Sequence, residues 1–289
     1  MPDSATIEGP LGIIAGRGLL PCVLAEAASA RGLTLHIVGI RGEARDEIER
    51  FPHTWVKWGE IGKMFRALDE NGCGDIVIIG GVDRPDFSNV QLDLGAINTL
   101  PFILSLGKGG DDHVLSRVVR FFEQKGYRVH GAGDVAPELL AGEGVLGGRI
   151  PSAEDKADIA LALRVVGALG RLDIGQAAVV VKGHVLAVEA AEGTDAMLTR
   201  CAELRATGRT GRRSRGGVLV KAPKPGQEER VDLPTIGPDT VTKAAEAGLS
   251  GIAVAAGGVL MAERVATIGA ADQHGLFLVG VTLAERNGA

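Results

Sequence analysis

Apolar residues along this chain follow two regimes that meet near residue 135. In the first, short uninterrupted apolar runs alternate with stretches whose apolar residues recur at helical spacing, which puts them on one face of a helix. Leu11 to Ala15 is such a run, Leu20 to Ala30 has the helical spacing and stops at Gly32, and Leu33 to Val38 is the next run. Ile61, Met64, Phe65 and Leu68 predict a helix ended by Gly72, after which Asp75 to Ile79 reads as a buried parallel strand. Lys108 to Asp112 leads into a further helix carrying Val114, Val118, Phe121 and Phe122, and the sheet resumes at Val129. Strand and helix alternating at these intervals predict a doubly wound parallel sheet over residues 1–134.

From Val135 to Ser152 the periodicity fades and glycine and proline accumulate, so residues 135–152 read as an interdomain linker. The second regime, residues 153–289, mixes helices with antiparallel strands. A helix from Ala153 to about Leu169 follows Ser152, an N-cap residue, and carries Glu154 and Asp155 in its first turn, where the helix dipole favours anions. Val179 to Val181 and Val185 to Val188 flank Lys182-Gly183, the pattern of a hairpin. Glu192 to Asp195 open a helix through Ala206. Beyond it come a strand at Gly217 to Val220, a helix at Val241 to Ala247, a strand pair formed by Ile252 to Val254 and Val259 to Met261 across Ala255 to Gly258, and a last strand at Leu276 to Val281. The predicted class is α/β: an N-terminal Rossmann-like domain, a linker, and a C-terminal mixed α/β domain with antiparallel pairing.

One stretch breaks both periodicities. From Lys221 to Gly237, Pro223, Pro225 and Pro234 fix φ and remove backbone donors, which makes a shaped loop. It crowds Lys221, Lys224, Gln227, Glu228, Glu229, Arg230 and Asp232 together. Such a loop suits charge-based chemistry, and equally a solvated charged surface.

Other candidates lie at element ends. Gly16, Arg17 and Gly18 form a strand-to-helix turn whose amides suit a phosphate, although Pro21 stands where a dinucleotide fingerprint would have its third glycine. No acid follows Val38 to hold an adenosine ribose, which argues against a nicotinamide dehydrogenase. Gly80, Gly81 and Arg84 follow a strand at the end where open α/β sheets bind ligands, and Arg84 reads equally as a surface turn residue. Asp111 and Asp112 either cap a helix or face a phosphate or metal; Thr194 and Asp195 either cap one or present its start to an anion. The six histidines share no metal spacing, and no HExxH or GxSxG motif occurs.

Composition removes several classes. A net charge of −5 argues against nonspecific nucleic-acid binding. The local basic run with Arg209, Arg212, Arg213 and Arg215 is either a solvated loop or a contact to anionic lipid headgroups. Cys22, Cys73 and Cys201 are far apart, which fits a reducing cytoplasm and neither a disulfide framework nor a zinc ribbon. The first ten residues lack signal-peptide order, and no segment approaches about 18 uninterrupted apolar residues.

The succession LGIIAGRGLLP, GGVDRPDF, GKGGDDHVLSRVV, RLDIGQAAVVVKGHVLAVEAAEGTDAML, VLVKAPKPGQEERVDLPTIG and AGLSGIAVAAGGVL resembles the LpxI family of UDP-2,3-diacylglucosamine pyrophosphatases, from about Leu11 to about Val281. The resemblance implies a substrate held between two domains and cut by water into UMP and 2,3-diacylglucosamine 1-phosphate, lipid X, in lipid A synthesis. It further implies attack on the sugar-side phosphorus, support from magnesium, and an essential aspartate in VDLPTIG, here Asp232. Arg17 stands where relatives often have glycine.

Pyrophosphate hydrolysis needs an oriented water and neutralised phosphoryl oxygens. Lys221, Lys224 and Arg230 are candidates to supply charge, Asp232 to hold magnesium or act on the water, and Gln176 and Gln227 to orient water or substrate. Glu189, Thr194, Asp195 and Thr235, within the resembling blocks, join the substrate-binding candidates with Gly16, Arg17, Gly18, Gly81, Arg84, Asp111 and Asp112. Two acyl chains imply a peripheral contact with the cytoplasmic face of the inner membrane. The sequence leaves open a homodimer, and also a noncatalytic carrier of nucleotide sugar or lipid.

Overall fold

The computed structural model describes residues 7–82, 111–208 and 216–283, with side chains from residue 114 onward in the second span. It divides into two compact units. The first comprises Met1–Pro137 together with Glu228–Asp232, and the second Glu138–Gln227 with Leu233–Ala289.

In the first unit, β1 (Leu11–Ala15), α1 (Leu20–Ala30), β2 (Leu35–Ile40), β3 (His53–Val56), α2 (Ile61–Glu70), β4 (Asp75–Ile79), α3 (Asp111–Gln124), β5 (Arg128–His130) and the short α4 (Ala132–Val135) follow in order. Their sheet runs β3-β2-β1-β4-β5, and every pair in it is parallel. All five residues of β1 are buried, which is why the central strand reads as one apolar run. Ile14, Val38, Leu68, Ile76, Phe122 and Val129 share a core, and Phe65 stacks on Tyr127 with ring centres 5.6 Å apart. The strand order reverses between β1 and β4. The turns leaving these two strands therefore flank the crevice where this architecture receives ligands. The edge strand β3 has no apolar run to announce it, since His53, Thr54 and Trp55 are only half-buried.

The second unit contains β6 (Gly144–Val145), α5 (Ala153–Gly170), β7 (Ala177–Val181), β8 (His184–Val188), α6 (Gly193–Ala206), β9 (Val218–Lys221), β10 (Thr235–Ile236), α7 (Pro238–Glu246), β11 (Gly251–Ala255), β12 (Leu260–Met261), α8 (Arg264–His274) and β13 (Phe277–Val281). Its main sheet runs β6-β13-β11-β9-β7-β8, with β9, β11 and β13 parallel and β7, β8 and β6 bringing antiparallel pairs. Alternation along β9 sends Val218 and Val220 into the core shared with Ile159 and Ala162 of α5, and Leu219 into the larger core on the other face. Lys221 follows Leu219 at the period of two, at the strand's carboxyl end.

The expected hairpin is present. Lys182 and Gly183 both have positive φ, 51° and 73°, and the buried Asp158 of α5 accepts both of their backbone N–H groups at 2.8 and 2.6 Å. The helix after Ser152 starts as expected, with Ser152 Oγ accepting from Asp155 N and Ser152 N donating back to the Asp155 carboxylate.

The strand pair expected across Ala255 to Gly258 is not there. The fully buried β11 lies between β9 and β13, and β12 pairs instead with β10 in a separate parallel ribbon. Residues 135–152 are likewise more than a linker. Ala141 N donates to Val259 O, β6 pairs with β13, Gly148 N donates to Asp272, and Arg264 donates to Leu140 O, so the part from Glu138 on is bonded along the second unit, while residues 135–137 belong to the first. The helix α8 was not foreseen, because only Thr267 and Ala271 of it are buried and no apolar stripe marks it.

Candidate active site

At the β1/β4 crevice, Gly16 N donates to Ile79 O, and Arg17 pairs with Gly81 through both backbone groups at 2.6 and 3.3 Å. A Cβ on Gly16 would lie 2.4 Å from Gly81 O and 2.8 Å from Gly80 O, so glycine is required for two backbones to meet. Gly18 turns the chain at φ +91° into α1. Leu19 provides no side-chain cap there, and Pro21 removes one of the amides that the first turn would offer an anion. The Arg17 guanidinium lies 3.4 Å from Glu43 and is about half exposed. Arg84 lies outside the described residues; α3 begins at Asp111, and the side chains of Asp111 and Asp112 lie outside them as well.

The segment Glu228–Asp232 belongs to the first unit although the chain on both sides of it belongs to the second. Arg230 fastens it. Its guanidinium donates to both oxygens of Glu228 at 2.7 and 2.7 Å and to Glu123 of α3 at 2.7 Å. The same pairing holds the Glu228 carboxyl below the usual carboxylate range, against burial, and raises Arg230. Val231 packs against the first unit's core. Asp232 is half-buried, its N–H donating to Glu228 O at 3.1 Å. Arg230, expected to meet substrate, therefore meets two carboxylates.

The second unit gathers most of the remaining candidates. Buried Lys221 donates to Thr194 Oγ1 at 2.9 Å and to Thr235 O at 3.0 Å. Thr194 Oγ1 donates to Glu189 Oε1 at 2.6 Å, and the other Glu189 oxygen accepts Gln176 N–H at 2.9 Å. Gly175, at φ +55°, lies so close to Glu189 O that an added Cβ would stand 2.1 Å from it. Buried Gln227 folds back so that its Oε1 accepts Lys224 N–H at 2.7 Å, and the Lys224 ammonium pairs with Asp173. Thr194 therefore does not cap α6. Asp195, also in the first turn of that helix, is exposed and pairs with Lys243 of α7.

Sequence reasoning missed one buried network. Asp75, with no exposed surface, receives two bonds from Arg128 at 2.7 and 2.7 Å, one from His130 at 2.7 Å and one from Glu8 N at 3.0 Å. It sits at the amino end of β4, opposite the glycine turns, where it braces the sheet. Asp at the start of an apolar run, followed by Arg-x-His on a later strand, was the only available signal. Among the described residues no three His, Cys, Asp or Glu side chains form a metal cage, and no helix is long and apolar enough to cross a membrane. Magnesium is commonly held by one or two carboxylates with substrate phosphates and water. The half-buried Asp232 carboxylate fits such a donor set.

Residues 10–139 match the family model described as the LpxI N-terminal domain, and residues 142–279 match that of the LpxI C-terminal domain. A protein of Caulobacter vibrioides described as UDP-2,3-diacylglucosamine pyrophosphatase LpxI is 48% identical over 276 residues, covering 96% of this chain and 99% of the relative.

Proposed function

The chain belongs to the LpxI family, and from that membership we propose that it hydrolyses the pyrophosphate of UDP-2,3-diacylglucosamine to UMP and lipid X, a step of lipid A synthesis. The observation that carries the proposal is identity of 48% spread over both domains of a relative bearing that activity in its name. The water oxygen bonds to the sugar-side phosphorus, the bridging P–O bond breaks, and UMP leaves with the bridging oxygen.

Asp232 acts on the attacking water, orienting it and drawing its proton. The hydrogen bond from its backbone to Glu228 and the clamp of Arg230 on Glu228 and Glu123 support that role, because a group aimed at water must be held within fractions of an ångström. Magnesium, when bound, would supply charge neutralisation at the phosphate oxygens, and the Asp232 carboxylate is a donor that could help hold it. A substrate with two acyl chains is presented by a bilayer, so the protein works at the cytoplasmic face of the inner membrane as a peripheral visitor.

The test is release of UMP from UDP-2,3-diacylglucosamine by purified protein. Turnover by the native chain and its loss in Asp232→Ala, with binding of lipid substrate kept, support the proposal. Near-native rates in Asp232→Ala remove that residue from the chemistry.

A further inference from the structure

The chain leaves the main sheet of the second unit at Lys221, the last residue of β9, and re-enters a strand at Thr235, the first of β10. Between them runs the loop that carries Asp232 and gives Glu228–Asp232 to the first unit. A bond from Lys221 Nζ to the Thr235 carbonyl at 3.0 Å joins the two ends of this excursion. The same ammonium donates to Thr194 Oγ1 at 2.9 Å, and that hydroxyl donates to Glu189 at 2.6 Å.

An ammonium can only donate and a carboxylate can only accept, so the direction is fixed: Lys221 to Thr194 to Glu189. Lys221, Thr194 and Glu189 are each at most 7% exposed. A buried ammonium and carboxylate bridged by one hydroxyl hold each other in place, since releasing either member leaves a charge without its partner in a low-dielectric interior. Glu189 is itself seated on the Gln176 N–H and pressed against Gly175, so the far end of the chain is rigid.

We propose that Lys221, Thr194 and Glu189 are positioning residues that close the neck of the Asp232 loop, and that they do not contact substrate. This rests on the reading that Asp232 acts in the hydrolysis. It reassigns Lys221, a candidate to supply charge, and Thr194 and Glu189, candidates for substrate binding. The neck restrains where the loop begins and ends; Lys224 and Gln227, bonded to each other through backbone and amide, shape its first turn.

The experiment compares the full-length chain with Thr194→Val, Thr194→Ser and Glu189→Gln. Steady-state kinetics on UDP-2,3-diacylglucosamine are read alongside the rate of tryptic cleavage at the Arg230–Val231 bond and the melting temperature. Thr194→Val is expected to lower kcat about 10- to 100-fold with KM within about twofold. It should also speed cleavage at Arg230 several-fold, and Thr194→Ser should restore both. Glu189→Gln, which keeps the shape but removes the charge and turns one of the two accepting oxygens into an NH2 donor, should move in the same direction as Thr194→Val and serves if that variant does not fold. A rise in KM with kcat kept, or cleavage at Arg230 unchanged in folded variants, overturns the proposal. Activity retained in Asp232→Ala would instead strike the catalytic reading, and the cleavage rates would still report on the neck.

Discussion

Arg230 grips Glu228, two residues before it, through Nε and Nη2 at 2.7 and 2.7 Å, and its Nη1 reaches Glu123 of α3 at 2.7 Å. Planar two-pronged pairing of this kind is specific to arginine; lysine offers a point charge instead. Because the pair seats the segment that carries Asp232, its loss should appear in kcat more than in KM. Arg230→Lys is expected to lower kcat about tenfold with KM nearly unchanged, as measured by UMP release. A large rise in KM would make Arg230 a substrate contact.

Gly16 was read from sequence as part of a phosphate turn, and the structure adds a second requirement, since a side chain there would meet the Gly80 and Gly81 carbonyls. Those atoms are backbone and cannot swing aside. Gly16→Ala should therefore cost about 2–4 kcal/mol of stability. Urea unfolding of the purified variant checks this.

The buried Asp75 gives the protein an acid limit. Burial pushes its carboxyl up, but the bonds from Arg128, His130 and Glu8 N outweigh burial and hold it below the ordinary value of 3.8. A carboxyl depressed in the folded state stabilises at pH above its unfolded value, and that contribution disappears as pH falls through the folded value. Asp75→Asn is expected to cost about 2 kcal/mol at pH 7, the half-exposed Arg128 being partly screened by solvent. The gap between variant and native chain should stay constant down to about pH 4 and close below it, as followed by urea unfolding across the range.

Much of the fold was legible because its central strands are largely apolar runs and many of its turns carry glycine. Leu11 to Ala15, Asp75 to Ile79 and the Lys182-Gly183 hairpin needed only local physics. The half-buried β3, the two-residue strands β6, β10 and β12, and the sparsely buried α8 lack such a signature because tertiary pairing makes them. For the candidate site, residue types and the family resemblance named Lys221, Thr194, Glu189, Gln176 and Gln227, and all five lie in the second unit. What spacing could not reveal is direction: Lys221 and Thr194 bond inward, and Arg230 spends its donors on carboxylates. The exchange of Glu228–Asp232 to the first unit is likewise invisible in a linear pattern.

The most direct test is hydrolysis of UDP-2,3-diacylglucosamine in water enriched in heavy oxygen, with both products analysed by mass. Attack at the sugar-side phosphorus predicts one heavy oxygen in lipid X and none in UMP. Heavy oxygen in UMP, or no cleavage at all by folded protein supplied with magnesium, would contradict it.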